Sequence, residues 1–236
     1  MEVSVIPFNE VEVVDKIYTA CRTCYAQGTP QEQYKKTQEE YTGATGWDKK
    51  WKLINHVLSS GHTSTIEHIQ FTFLISGVSR ALSHQLVRHR MASFSQRSQR
   101  YCFEDGFNYI EPEDINESEN EDKFFRDFMR HSKEVYSKLI DKGVKPEDAR
   151  MVLPNACETK IIVTMNAREL LHFFKLRCCK RAQKEIREVA FMMKNICRKV
   201  APNIFQYAGP NCLKGYCTEG EKSCMKDNEN IKKIIP

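Results

Sequence analysis

Arg88–Arg100 reads RHRMASFSQRSQR, where four arginines, one histidine and three serines surround only two large apolar side chains, Met91 and Phe94. A run this polar does not build a core. Each guanidinium is permanently charged and offers a planar fork of donors that matches a phosphate or a carboxylate better than an ammonium does. Serine hydroxyls add short-range donors. Just upstream, SRALSHQLVRHR follows Val78 and places Val78, Leu82 and Leu86 at i, i+4 and i+8, which predicts a helix with one packed face. Gln85, Arg88 and His89 then fall three and four apart on a neighbouring face and can address one ligand together. The expectation is a helix that delivers arginines into an anion-binding loop.

Outward from this stretch, strands and helices mix without a regular βαβ alternation, so the fold class is α+β: helices with a central, antiparallel-type sheet in a single domain. Residues 2–6, EVSVI, alternate as a short strand, and a helix fills residues 9–25. Gly28 to Gly46 is polar and turn-rich and reads as a loop with at most one helical piece. Trp47, Trp51, Ile54, Val57 and Leu58 form a helical stripe that Gly61 stops. Alternation of Ile69, Phe71, Phe73 and Ile75 with Gln70, Thr72, Leu74 and Ser76 marks a strand. The acidic patch between Glu111 and Asp122 reads as a solvent loop. Phe124, Phe128, Val135, Tyr136, Leu139 and Ile140 predict a long amphipathic helix closed by Gly143. Pro146 opens a further short helix that ends by Pro154. Thr159–Asn166 is a β-branched strand feeding a helix over residues 167–177, and a last helix carries Ile186, Val189, Met193, Ile196 and Val200.

The 236 residues suffice for a substantial core, and 41% hydrophobic with 28% charged residues is the balance of an ordinary globular chain. The formal net charge is only +5, so the clustering of cations around residues 80–100 matters more than their excess. No apolar run is long enough to span a bilayer and no export signal is recognisable, which leads to the expectation of a cytoplasmic protein without membrane partners. Ten cysteines in such a chain point to reduced thiols rather than a disulfide framework. Cys21 and Cys24 sit on the helical stripe of Val13, Val14, Ile17 and Tyr18 and read as packing residues rather than redox or metal ligands. Cys212, Cys217 and Cys224 are spaced C-x4-C-x6-C and lack the tighter pair and fourth ligand of a usual zinc site, so no metal is expected. Histidines 62, 68, 84 and 89 lack metal-ligand spacing as well.

Polar residues gather where elements end in three places: GHTSTIEH (61–68), the arginine stretch (85–100), and Arg150 together with NARELLHFFKLR (166–177). Ends of elements are where ligands are usually met. Asn166 can cap the helix it precedes. Arg177 follows Leu176 on the apolar side, where a guanidinium calls for an anion or a carbonyl.

These motifs together resemble the flavin-dependent thymidylate synthases. The signature R-H-R, seven residues, then S is met by Arg88, His89, Arg90 and Ser98. Around it stand H-x-S-x-x-E-H from His62 to His68, Q-x-x-R-H-R from Gln85, A-R-x-V-L-P from Ala149, and N-A-R-x-L with F-x-x-L-R from Asn166 to Arg177, in the family's order. The likeness spans residues 2–205. Residues 1–208 are therefore expected to form the family's domain, with 209–236 as a Cys-containing extension that matches no motif.

The resemblance implies a homotetramer with active sites shared between subunits. Its activity would be reductive methylation of dUMP to dTMP, with methylenetetrahydrofolate as carbon donor and FAD, recharged by NADPH, as reductant. Carried onto matching positions, Gln85, Arg88, Gln96, Arg97, Ser98, Gln99, Arg100, Arg150 and Arg177 would hold dUMP. FAD would be met by His62, Ser64, Glu67, Arg88, His89, Arg90, Asn166, Arg168 and His172. Many members carry glutamate in place of Gln96 and asparagine in place of His172.

The residue chemistry agrees with that assignment. Uracil is a weak electrophile until its ring is polarised, and a guanidinium beside the ring amide favours the ionised form, by about 1 to 3 pKa units. Arg177 is the candidate catalytic residue. Cys102 has no histidine partner in sequence and reads as packing, and the serines at 93, 95 and 98 belong to no recognisable triad. A nucleic-acid binder would spread its cations over a broad face with interleaved aromatics; here they are concentrated, with Phe94 and Tyr101 the only nearby rings, so nucleic acid is not an expected partner. A regulatory nucleotide-binding module without catalysis remains the alternative.

Overall fold

The computed structural model describes residues 1–7, 9–39, 43–117 and 119–224. Its four-stranded antiparallel sheet has the order β1-β2-β4-β3, built from β1 (Glu2–Val5), β2 (Gln70–Ser79), β3 (Ala92–Gln96) and β4 (Glu158–Asn166). The chain divides into two compact units, one of Met1–Ser4 with Phe73–Val163 and one of Val5–Thr72 with Thr164–Pro236.

In the first unit, α4 (Arg80–Leu86) follows β2 directly, because Ser79 turns the chain and its side chain accepts from the Leu82 amide at 3.0 Å. Val78 therefore belongs to the strand and not to the helix predicted from its spacing with Leu82 and Leu86. All three are buried nonetheless, since a strand residue can point into the same core as the helix that follows it. α5 (Glu113–Asn116) and α6 (Glu119–Asp141) replace much of the expected acidic loop; acidic residues in a first turn favour a helix start. The long helix is present and ends before Gly143, whose φ of 82° only glycine adopts readily. Its buried face is Met129, Ser132 and Tyr136, whereas Phe124 and Phe128 are 74% and 56% exposed. α7 (Pro146–Ala149) carries proline in its first turn, followed by a 3-10 turn at Arg150–Val152.

In the second unit, α1 (Glu10–Tyr25) and α3 (Gly43–Ser59) are the two helices expected on either side of the Gly28–Gly46 stretch, and α2 (Pro30–Glu39) is a ten-residue helix within that stretch. Periodicity missed α2 because it buries polar rather than apolar side chains. Gln33 accepts from Arg22 Nε (3.4 Å) and donates to the Gln27 carbonyl (2.6 Å), while Thr37 accepts from Thr19 (3.3 Å). Lys50 of α3 pairs with Asp15 of α1 at 2.5 Å, both buried, an arrangement that holds only while each charge keeps its partner. α8 (Ala167–Arg177), α9 (Lys184–Val200) and α10 (Pro202–Phe205) follow in the same unit, with 3-10 turns at Asn211–Lys214 and Gly220–Lys222 after them. Phe205 meets Phe71 edge-on at 5.5 Å and Phe174 at 6.0 Å, a packing worth more than area alone. On α9 the buried face runs through Ile186, Val189, Ala190, Met193 and Cys197, with Ile196 and Val200 at its margin.

Candidate functional site

The arginine stretch is more ordered than a loop. α4 ends at Leu86, and Arg88 and His89 close the turn through bonds from their amides to Gln85 O (3.4 Å) and Leu86 O (3.1 Å). Gln85, Arg88 and His89 thus do not share a helix face as expected: Arg88 and Arg90 are exposed, while His89 is 5% exposed. The chain then enters β3, whose alternating side chains expose Ser93 and Ser95 and half-bury Ala92, Phe94 and Gln96. A strand fits the composition because serine and phenylalanine tolerate a half-buried pleat.

Gln96 ends that strand and is held by two hydroxyls. Its amide nitrogen donates to Ser83 Oγ on α4 (2.8 Å) and to Thr159 Oγ1 on β4 (3.2 Å), and Ser83 Oγ in turn donates a hydrogen bond to the Arg80 carbonyl (2.9 Å). Both amide donors are occupied, which leaves Oε1 as an acceptor. Arg97 comes next and is pinned: Nε donates to Glu104 Oε1 (3.0 Å) and Nη2 to the Phe103 carbonyl (3.2 Å). Glu104 is buried and in turn receives stability from its amide's bond to Tyr136 Oη (3.2 Å). The hydrogen bond to Glu104 is the main reason the Arg97 guanidinium is pushed above its ordinary pKa. Arg97, Glu104, Glu158, Thr159 and Lys160 line part of a cavity of about 280 Å³.

Ser98 and Arg100 form a tight turn in which Ser98 Oγ accepts from the Arg100 amide (3.2 Å); Gln99 between them is half-buried. Arg100 reaches Glu147 at the start of α7, with Nε at 3.3 Å and Nη2 at 3.0 Å from the same oxygen, Oε2. Arg150 gives its Nε to the Glu147 carbonyl (3.1 Å). Sequence reasoning missed Glu147, Glu104 and Arg80. The Arg80 guanidinium is pulled below its ordinary pKa, chiefly by burial, with Glu104 opposing and Arg150 adding to the shift. Cations partly removed from water near a like charge favour an anionic ligand.

The second unit holds the remaining candidates. The 3-10 turn Thr63–His68 presents His62 and Ser64 to solvent, with Glu67 half-buried. Arg168, in the first turn of α8, pairs through Nη1 with Glu67 Oε1 and stays exposed. Asn166 caps α8, its Oδ1 accepting from the Glu169 amide at 2.8 Å; its oxygen is committed and its NH2 is what it can offer a ligand. His172 is exposed on the same helix. Leu176 is exposed rather than on the apolar side. The buried residues before Arg177 are Phe173 and Phe174, four and three positions back, so Arg177 does share the apolar face, and burial lowers its pKa. Arg177 lies in the second unit and the other nucleotide candidates in the first.

All ten cysteines are free. Cys21 is buried as expected, whereas Cys24 on the next turn is exposed, so only one of that pair packs. Burial pushes the thiols of Cys157 and Cys178 up to about 12, far from a nucleophile's range. Cys102 is half-buried. Among the described residues no three His, Cys, Asp or Glu side chains group to hold a metal, and no helix is long and apolar enough to cross a membrane.

Residues 11–203 match the family model described as thymidylate synthase complementing protein. The flavin-dependent thymidylate synthase of Clostridium tetani is 47% identical over 234 residues, covering 92% of this chain and 90% of that one. That of Geobacter sulfurreducens is 49% identical over 219 residues, with the same two coverages. Among solved structures, a flavin-dependent thymidylate synthase from Helicobacter pylori complexed with FAD and dUMP superposes with a TM-score of 0.67 at 24% identity, covering 89% of this chain and 100% of that chain. A UMP/dUMP methylase from Streptomyces cacaoi bound with 5-Br dUMP gives 0.66 at 24% identity, covering 87% and 93%.

Proposed function

The chain belongs to the flavin-dependent thymidylate synthase family, and from that premise we propose that it methylates dUMP to dTMP, taking the carbon from methylenetetrahydrofolate and electrons from NADPH through FAD. Residues 1–208 would form the catalytic domain, with 209–236 an appended segment. The chain would act in the cytoplasm as a homotetramer whose subunits share active sites.

The observation that carries the assignment is the arrangement around Glu147: Arg100 and Arg150 each spend Nε on that one residue, through Oε2 and the main-chain oxygen. Arg100 Nη2 is also held by Oε2, which leaves Arg100 Nη1 and the terminal nitrogens of Arg150 to suit a phosphate. Ser98 Oγ stands in the same turn as a short-range donor to it, and Gln96 Oε1 can accept from a sugar hydroxyl or the base. Gln85, Arg88, Arg97 and Gln99 complete the nucleotide set, Arg97 acting mainly to hold the strand end against Glu104. Arg177, a cation half-removed from water beside Phe173 and Phe174, would sit at the uracil amide. Withdrawing the ring proton leaves charge on the base, and a guanidinium in a water-poor setting stabilises it more than one in bulk water would.

For FAD, the chemistry of the donors fits an anionic dinucleotide: exposed Arg168 at the start of α8, with His62, Ser64, His172 and the Asn166 amide nitrogen as further donors and Glu67, which pairs with Arg168, completing the set. Arg88, His89 and Arg90 would add to them. When bound, FAD supplies the redox step that no side chain can perform.

The decisive test is anaerobic: reduce the purified protein with NADPH, add dUMP and methylenetetrahydrofolate, and follow flavin absorbance together with dTMP formation. Reoxidation coupled to product supports the assignment. A protein that binds dUMP while its flavin is not bleached by NADPH would instead be a regulatory module.

A further inference from the structure

We propose that Glu147 is a positioning residue that aims Arg100 and Arg150 together at the phosphate of the nucleotide, a role that rests on the function proposed above. An arginine side chain pivots about four torsions, so a phosphate-binding guanidinium must be held at its Nε side if its terminal nitrogens are to point one way before the ligand arrives. Both arginines are held at that side by the same residue. Glu147 Oε2 takes Nε and Nη2 of Arg100 at 3.3 and 3.0 Å, and the Glu147 carbonyl takes Nε of Arg150 at 3.1 Å. Among the described residues, Arg100 Nη1 and both terminal nitrogens of Arg150 make no other hydrogen bond.

Glu147 is itself well placed to act as a fixed point. It follows Pro146, whose ring sets the backbone at the opening of α7, and the amides of Asp148 and Ala149 both close onto the Lys145 carbonyl, at 3.0 and 2.9 Å. Arg100 is fixed from its own end as well, since its amide bonds Ser98 Oγ and its guanidinium lies 5.4 Å from the Tyr101 ring centroid. A side chain and a main-chain oxygen of one residue thus align two cations that sequence places fifty positions apart.

The two contacts separate experimentally. Glu147→Ala removes the carboxylate from Arg100 and leaves the carbonyl that holds Arg150, while Glu147→Gln keeps an oxygen acceptor without the charge. Binding of dUMP and of deoxyuridine to the FAD-loaded protein is measured by calorimetry, with thermal unfolding as a check of folding. Loss of one charge-assisted hydrogen bond that orders the site is expected to weaken dUMP binding about tenfold in Glu147→Ala. Glu147→Gln should recover most of that loss, deoxyuridine binding should stay unchanged, and adding Glu147→Ala to Arg100→Ala should cost nothing more. Tighter dUMP binding in Glu147→Ala would overturn the proposal, because the carboxylate would then be a competitor of the phosphate. Equal losses for dUMP and deoxyuridine would overturn it too, by making Glu147 a general structural residue. An Arg100→Ala variant that binds dUMP normally would remove the phosphate assignment of Arg100 and with it the positioning role, whereas FAD-loaded wild-type protein that binds no dUMP would defeat the function proposed above.

Discussion

Arg177 and Arg88 are proposed to use their charge in different ways. Arg177 shares a helix face with Phe173 and Phe174, and its desolvation makes any developing negative charge beside it count for more. Arg177→Ala should lower turnover by roughly 100- to 1000-fold, the cost of losing one well-placed donor to transition-state charge, with a much smaller change in dUMP affinity; single-turnover rates and equilibrium binding give the two numbers. Equal losses would make Arg177 an anchor only. Arg88 is exposed just past α4 and is assigned to both ligands, so Arg88→Ala should weaken FAD and dUMP together, seen by flavin retention on purification and by dUMP titration. Retention of both affinities would refute the shared assignment. These cations were legible in the sequence because the motifs name them. Glu104 and Glu147 were not, because a carboxylate that orders an arginine gains its meaning from distance: Glu104 is seven residues from Arg97 and Glu147 is forty-seven from Arg100, and no periodicity links them.

Elements were readable where one physical signal dominated. β2 and β4 alternate buried and exposed residues as their sequences predict, and α1, α3, α8 and α9 present apolar stripes. α2 escaped because its inward face is Gln33 and Thr37, satisfied by hydrogen bonds rather than by hydrophobic contact. β3 escaped because an arginine-rich flank concealed five residues of modest strand preference between two charged ends. The same competition between local and functional meaning recurs at Asn166, where the cap and the proposed flavin contact use different atoms of one amide. Asn166→Ala should lose the bond to the Glu169 amide, a cost of about 1 kcal/mol, and lower the melting temperature by roughly 2–4 °C in a chain of this size. Asn166→Asp keeps the accepting oxygen and should melt near wild type. If its FAD affinity nonetheless falls, the amide nitrogen meets the cofactor; unchanged FAD affinity in Asn166→Asp confines Asn166 to capping. Scanning calorimetry and flavin titration on the two variants provide both readings.

At the scale of the whole molecule, the nucleotide candidates do not belong to one compact unit: Gln85, Arg88, Arg100 and Arg150 fall in the first and Arg177 in the second. Closed oligomers of identical subunits can complete such a set by lending residues across an interface, as proposed for this chain. Exposed Phe124 and Phe128 on α6 and Tyr101, Phe103 and Met151 elsewhere in the first unit are large apolar side chains of a kind that association covers. The consequence can be measured without knowing the contacts. Subunits carrying Arg100→Ala and subunits carrying Arg177→Ala should each be nearly inactive as pure assemblies. Unfolded, mixed in equal amounts and refolded together, they should recover activity if one site draws Arg100 and Arg177 from different subunits, because random assembly then gives about a quarter of the sites both native arginines. If both residues of a site come from the same chain, every site in the mixture still lacks one of them and no activity returns. Size-exclusion chromatography with light scattering on the same samples fixes the subunit number, and a monomer that turns over dUMP at full rate would end the proposal of shared sites.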